Sequence, residues 1–357
     1  MNISSALLTP WKVHNWWGEN LYTKTNEKVN AIIYPPKLKL GDHIRVIAPA
    51  RSLSLLSQDT IDQAKRRLEE YWFIVSFWKH VSEMDEFLTS SVESRIADLH
   101  DAFRDPNVHG ILSVVWWYSA NQMLDYIDYD LIKNNPKILC GFSDITALSN
   151  AIFAKTWVVG YSWPHFSSWA IQYWFEYSIE FFEKCCIQSD PYALYPSSQW
   201  SDDEWYIDQE KRNFIKNEWY WVLNEGKGDG LILGGHIPCV WAVQWTQYFP
   251  IFDKNFILFI EIDEEFSPVI FDRLVQSLIQ QSGFPNIQWM IIGRFQHKTK
   301  MTRALLEKII RSKWELAWIP IIANVDFWHT MPFLTFPIWG SATIDTSNKD
   351  YIMIKNH

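Results

Sequence analysis

A serine, a glutamate and a histidine stand at the ends of three apolar runs that are far apart in the chain. Ser143 lies in Gly141-Phe142-Ser143-Asp144, between the apolar run 137–140 and an apolar-periodic segment reaching Lys155. A sharp strand-to-helix turn holds such a serine clear of the sheet, with the first free N–H groups of the helix beside it. Those groups suit an oxyanion formed when the hydroxyl attacks a carbonyl. An ordinary helix N-cap serine looks the same in isolation. Glu261 closes the run Ile257-Leu258-Phe259-Ile260 and also reads as a solvent-facing strand end, while His329 follows the run 321–327 and also reads as a turn histidine. Together they are the parts of a relay in which imidazole takes the serine proton and a carboxylate fixes the tautomer, and Ser…Glu…His is a chain order such relays use. A metal reading would combine His236, His329 and Glu261, but no paired-ligand helix motif supports it. No metal and no organic cofactor is expected. Gly226, Gly228 and Gly230 lack the spacing of a phosphate-binding loop, which sets aside a dinucleotide-dependent oxidoreductase.

The surrounding elements must bring these residues together. Strand patterns at 44–48, 73–77, 110–115 and 137–140 alternate with a helix at 59–71 and another reaching Phe103 from the capping box Ser90-x-x-Glu93. Short helical pieces follow at 121–127 and 129–133. This order predicts an α/β fold with an open parallel sheet, flanking helices and a site at the carboxyl ends of its strands. After Tyr161 the pattern changes. Residues 170–187 read as aromatic and helical, and 188–229 as polar and loop-rich, with the acidic-aromatic run Trp200-Ser201-Asp202-Asp203-Glu204-Trp205. Strands at 231–233, 256–261, 289–295, 320–327 and 333–337, with helices at 268–282 and 303–312, predict a second, mixed α/β domain. The expected organisation is an irregular extension over 1–36, a first domain over 37–168, a connector over 169–229 and a second domain over 230–357.

A chain of 357 residues exceeds the usual reach of one core, and 48% hydrophobic residues suffice to fill two. A net charge of −9, a pI near 5.6 and scattered Lys and Arg argue against a nucleic-acid surface. The four cysteines show neither metal spacing nor a disulfide framework, which suits a reducing compartment. With no signal-like N-terminus and no apolar run of about 18 residues, neither export nor a membrane span is expected, and the location reads as cytoplasmic. One count is abnormal: 22 Trp against 13 Gly. Many of the indoles sit where a turn calls for glycine, as in Tyr71-Trp72-Phe73, Ser162-Trp163-Pro164 and Ile338-Trp339-Gly340, where a positive φ would be a steric liability.

In order and spacing the chain resembles the LD-carboxypeptidase family of serine peptidases, which includes murein tetrapeptide carboxypeptidases and microcin C self-immunity proteins. The resemblance runs from about residue 37 to 345. It rests on Leu40-Gly41-Asp42-His43-Ile44, Trp116-Trp117-Tyr118-Ser119-Ala120-Asn121, Tyr126-Ile127-Asp128-Tyr129, Gly141-Phe142-Ser143-Asp144-Ile145-Thr146, Tyr161-Ser162-Trp163-Pro164, Leu233-Gly234-Gly235, Phe259-Ile260-Glu261 and Trp328-His329-Thr330-Met331-Pro332. The length and the acidic-aromatic segment are closer to the microcin-immunity branch. The resemblance implies a second domain with β-barrel character and a site between the two halves. In it Ser143 is the nucleophile, His329 the general base and Glu261 its orienting carboxylate. The oxyanion hole uses the backbone N–H of Asp144 and one from Trp116 or Trp117. Tyr118 and Asn121 would meet the substrate, and Trp200 or Trp205 would stack on a nucleotide-like group. It implies no cofactor, a homodimer, and as substrate a small LD-linked peptide or a peptidyl- or aminoacyl-nucleotide. A catalytically inactive peptide- or nucleotide-binding protein on the same fold is the alternative.

Departures from the family pattern sharpen the tryptophan count. The family has glycine where this chain has Trp72, Trp116, Trp117, Trp163, Trp219, Trp245, Trp328 and Trp339, and His236 stands where Asn is usual. Some bacterial lineages read the codon UGA as glycine, and translating it as tryptophan would leave this pattern. Returning about fifteen of the indoles to glycine brings glycine to about 8% of the chain, close to ordinary usage. Trp221, whose neighbours fit the family, is expected to be a genuine tryptophan.

Overall fold

The strand nearest the chemistry, β4 (Ile138–Gly141), is the fourth in chain order of a six-stranded sheet. Around it lie β1 (His43–Ile47), β2 (Ile74–Phe77), β3 (Val108–Ser113) and β5 (Gly160–Ser162), all parallel in the order β2-β1-β3-β4-β5. The computed structural model describes residues 31–357 apart from 116–117, 251–253, 328 and 349–350. Most of the expected extension over 1–36, together with Trp116, Trp117 and Trp328, therefore lies outside the described residues. Helices α1 (Gln58–Glu70), α2 (Val92–Arg104), α3 (Tyr129–Asn134) and α4 (Ile145–Thr156) connect the strands. Their starts follow from sequence chemistry: the Ser57, Ser91 and Asp128 side chains accept from the backbone N–H groups of Thr60, Ser94 and Leu131. The α2 cap is Ser91, one residue beyond the expected Ser90, because Ser91 places its oxygen over the first free turn.

The second sheet has eight strands in the order β6-β16-β15-β10-β11-β12-β13-β9 and curls into half a barrel. These are β6 (Tyr192–Leu194), β9 (Trp221–Asn224), β10 (Lys227–His236), β11 (Phe256–Glu261), β12 (Ile287–Gly293), β13 (Ile321–Val325), β15 (Ser341–Asp345) and β16 (Ile352–Asn356). Strands β10 to β13 are parallel, with β11 and β13 buried throughout and β10 buried over its second half, and helices α6 (Ile237–Val243), α7 (Pro268–Ile279) and α8 (Arg303–Arg311) connect them in turn. The stretch 188–229 is more ordered than its polar composition suggested. Besides β6 and β9 it holds a two-stranded ribbon of β7 (Gln199–Trp200) and β8 (Ile215–Lys216). Strands of two to four residues are too short to show alternation, so sequence periodicity missed them. α5 (Glu176–Phe182) precedes them. β14 (Phe336–Ile338) leaves the second sheet and adds antiparallel to β5, with Phe336 opposite Ser162.

Helix α4 is the meeting point. It is buried from Ile145 through Phe153 and packs on β4 and β5 on one side and β10 on the other. Gly234 and Gly235 permit this approach. Both have positive φ, and a β-carbon on Gly235 would lie 2.1 Å from Thr146 Cγ2.

Among the described residues eleven other than glycine adopt positive φ, and six of them are tryptophan: Trp72, Trp157, Trp163, Trp174, Trp219 and Trp339, with φ between 61° and 78°. Trp157 caps the C-terminus of α4 in the left-handed conformation, a position that glycine dominates. The sequence expectation named four of the six. Trp157 and Trp174 are additional, and Trp245 is not in this region.

Candidate active site

The turn after β4 places Ser143 at φ 57°, in the left-handed region that a non-glycine residue occupies at a cost. Gly141 makes the turn tight, since a β-carbon there would lie 2.5 Å from Ser113 Oγ and 2.8 Å from Ile145 Cγ1. Behind the turn, His165 Nε2 accepts the Phe142 N–H at 3.3 Å while Nδ1 meets Ser113 Oγ at 2.8 Å. Complete burial, helped by the nearby His329, pushes His165 down to about 3, so this ring is a neutral acceptor at any working pH. It is a brace for the serine turn that sequence reading did not single out; its position just after the Trp163-Pro164 turn was the available signal.

Three side chains from both sheets converge. Ser143 Oγ is 3.3 Å from His329 Nε2, and His329 Nδ1 is 2.8 Å from Glu261 Oε2. Ser143 is 4% exposed and Glu261 is fully buried. Burial raises the Glu261 carboxyl to about 7, opposed by the charge and hydrogen bond of His329. Burial also works against a charged His329, but Glu261 outweighs it and lifts the ring above its ordinary value. Both tendencies describe one proton held between two buried groups, which is how a closely coupled pair titrates. Glu261 Oε1 has no hydrogen-bond partner among the described residues.

The Asp144 carboxylate ties the neighbouring loop to the serine turn by accepting the Ala120 N–H at 2.6 Å. Arg95 steadies the same loop through the Ser119 carbonyl at 2.9 Å and Gln122 Oε1 at 2.7 Å. Burial raises Asp144 to about 7, against the pull of the Ala120 N–H and of Arg95. The backbone N–H of Asp144 has no acceptor among the described residues, which leaves it available to an oxyanion.

A cleft of about 110 Å³, partly open to solvent, lies over Ser143 and His329. One wall is the 201–206 segment, which is bound to the segment beyond His329 by paired Ser201 and Met331 backbone hydrogen bonds of 2.8 and 2.7 Å. Trp205 and Tyr118 line this cleft, and the Tyr118 hydroxyl donates to Glu265. Trp200 does not line it: its ring stacks on His297 at 4.9 Å, with the Arg294 guanidinium 5.0 Å from its centre. Arg294 in turn pairs with buried Asp326 at 2.5 Å, and Asp326 accepts the Ser197 hydroxyl at 2.7 Å, which fixes the chain three residues before His329. Asn121 is exposed and away from the cleft. Cys239, Tyr206, Phe333 and Asp263, which the sequence did not single out, also line the cleft. His236 also lines it, beside His329 with ring centres 5.3 Å apart. Among the described residues no group of three or more ligating side chains gathers to hold a metal ion, and no helix is long and apolar enough to cross a membrane.

Known proteins share this architecture. The family model for the LD-carboxypeptidase N-terminal domain matches residues 44–162, and that for the LD-carboxypeptidase C-terminal domain matches residues 229–344. A putative carboxypeptidase of Bacillus subtilis (strain 168) is 45% identical over 91% of this chain and 100% of its own length. The crystal structure of an MccF-like protein from Bacillus anthracis superposes with a TM-score of 0.89 at 47% identity, covering 91% of this chain and 100% of that one. The microcin C7 self-immunity protein in complex with aspartyl sulfamoyl adenosine superposes with a TM-score of 0.82 at 24% identity, covering 91% and 99%.

Proposed function

The chain belongs to the LD-carboxypeptidase family, and from that membership we propose that it is a serine-type hydrolase cutting an amide through Ser143, His329 and Glu261. The observation that carries this reading is the unbroken line from Ser143 Oγ through the His329 ring to Glu261 Oε2, at 3.3 and 2.8 Å. In it, Ser143 Oγ attacks the amide carbonyl as His329 Nε2 takes its proton. Glu261 holds the ring by its Nδ1–H and stabilises the imidazolium. The oxyanion is received by the Asp144 N–H, and the strained turn aims the hydroxyl at the carbonyl rather than along the sheet. Imidazolium then protonates the leaving nitrogen, the C–N bond breaks, and the acyl group stays on Ser143. Water, deprotonated by the same ring, releases the acyl group as a carboxylic acid and restores the serine.

For the substrate, the reading is an aminoacyl- or peptidyl-nucleotide, with an LD-linked murein peptide as the second choice. What supports the first is the fold shared with a protein solved around an aminoacyl sulfamoyl adenosine, together with a cleft walled by Trp205 and the 201–206 segment. The test is labelling by a fluorophosphonate serine probe beside hydrolysis of both substrate types. Ser143→Ala should lose both labelling and at least about 10⁴-fold in turnover while keeping its fold. Retained hydrolysis in that variant overturns the assignment.

A further inference from the structure

Tryptophan takes more of the left-handed backbone of this chain than all other L-residues together. Sixteen of the described residues are tryptophan and six of these have positive φ, while every other type apart from glycine supplies five residues in all. The region is uncommon for any L-residue and an outlier for a bulky one, because the β-carbon comes too close to the following carbonyl oxygen. Of the five, Asn324 is of a type that tolerates it and Ser143 belongs to the tight turn after β4. Tryptophan has no such excuse. At Trp72, Trp174 and Trp219 the ring is exposed, so packing does little to offset the cost.

The backbone hydrogen bonds at these positions are those of glycine turns. After α1 the Phe73 N–H donates to the Leu68 carbonyl at 3.1 Å and the Trp72 N–H to the Glu69 carbonyl at 2.9 Å. That nested pair is the Schellman ending of a helix, in which the left-handed residue, here Trp72, is ordinarily glycine. Helix α4 ends in the simpler way, with one bond from the Trp157 N–H to the Phe153 carbonyl at 2.8 Å, and Trp157 is again the left-handed residue. Trp219 stands two residues after Asn217, whose side-chain oxygen accepts its N–H at 3.2 Å, in an Asx turn with φ 78°. Trp339 turns the chain from β14 into β15 with its N–H on the Ile232 carbonyl at 2.7 Å. None of these backbone bonds needs the indole.

Position 163 adds an observation of another kind. The Trp163 ring is fully buried, yet its indole N–H has no hydrogen-bond partner among the described residues, although buried indoles ordinarily find one. The position also bears on the cleft. Its backbone N–H donates to the Gly141 carbonyl at 3.2 Å, and its ring stacks on cleft-lining Phe333 with centres 4.9 Å apart. Trp221 contrasts with the six: it lies in β9 opposite Ala323 of β13, with the Arg303 guanidinium 5.7 Å from its ring centre.

We infer that glycine is the natural residue at positions 72, 157, 163, 174, 219 and 339, and that the source cell reads the codon UGA as glycine. One change in the code accounts for all six, whereas six separate substitutions would each add strain where glycine has none. Four of the six also stand where the family pattern has glycine. Trp157 and Trp174 rest on the backbone alone, which makes them the sharper test. At position 163 glycine relieves the chain that bonds to the serine turn and takes the indole from behind Phe333.

The test is to sequence the gene and to measure peptide masses of the protein isolated from its source. UGA and a glycine mass are expected at all six positions, and UGG with a tryptophan mass at Trp221. UGG or a tryptophan mass at any of the six overturns the inference. UGA with a tryptophan mass at Trp221 overturns it too, because the same codon would then specify tryptophan in that cell.

Discussion

Trp72→Gly should make this chain more stable, and the structure says by roughly how much. Trp72 follows the C-terminus of α1 at φ 64° and is 73% exposed, so its ring contributes little packing. Its backbone bonds do not depend on the side chain: its N–H donates to the Glu69 carbonyl and its own carbonyl accepts the Gly41 N–H, both at 2.9 Å. Holding an L-residue in the left-handed region costs about 1–2 kcal/mol. Glycine removes that cost but gives back about 0.5–1 kcal/mol through its greater freedom when unfolded. The net is about 0.5–1 kcal/mol in favour of glycine, or about 1–3 °C in Tm for a chain of this size. Trp72→Ala is the control, because it removes the indole and keeps the β-carbon. Alanine should leave most of the strain and fall below glycine by about 0.5–1 kcal/mol in a denaturant titration. If alanine matches glycine, the exposed ring rather than the backbone is at fault, and the left-handed argument fails at this position.

Four further outcomes follow from the geometry. Activity should fall on the acid side as His329 gains its proton, with a midpoint above the ordinary histidine value of about 6.5 because Glu261 favours the charged ring; Glu261→Gln should lower kcat and move that limb to lower pH in a pH–rate profile. Burial raises Asp98 from its ordinary 3.8 to about 6, so folding binds this proton more tightly; its contribution is whole below pH 3.8 and is lost as pH rises through about 6, and Asp98→Asn should flatten that part of the stability–pH curve. Arg294→Met should cost about 3–5 kcal/mol by urea unfolding, since it strands the Asp326 carboxylate without its cation; a cost under about 1 kcal/mol would show that water or Asn217 replaces it. Gly235→Ala should cost about 2–4 kcal/mol and lower kcat as well, because the new β-carbon meets Thr146 on the helix that follows Ser143.

The parts of the fold legible in sequence are those with strong local patterns. The apolar run 256–261 matches β11 end to end, and the serine turn was legible because an apolar run, a glycine and an apolar-periodic helix stand in immediate succession. What escaped was non-local or too short to have a period. No local signal tells Phe336–Ile338 to leave its own sheet for β5, and Tyr192–Leu194 is a strand only because β16 is there to pair with it. Asp263 carried no signal because exposure cannot be seen in composition; folding half-buries it beside His236. His165 had only its place after the Trp163-Pro164 turn to mark it, since its partners Ser113 and Phe142 come from two different strand ends.

The short pairing of Phe336–Ile338 with Gly160–Ser162 makes the molecule a clasp. Seven residues after His329, the chain has already crossed to close the margin of the other sheet, so the imidazole sits on a strap anchored at both ends. Neither half is a self-sufficient building block: a gene cut between them would yield one fragment with a bare β5 margin and another with a dangling strand. Such fragments should stick to each other, or to copies of themselves, before either became a soluble module. Recombination within this lineage would then have to exchange the clasp together with the serine turn it closes over.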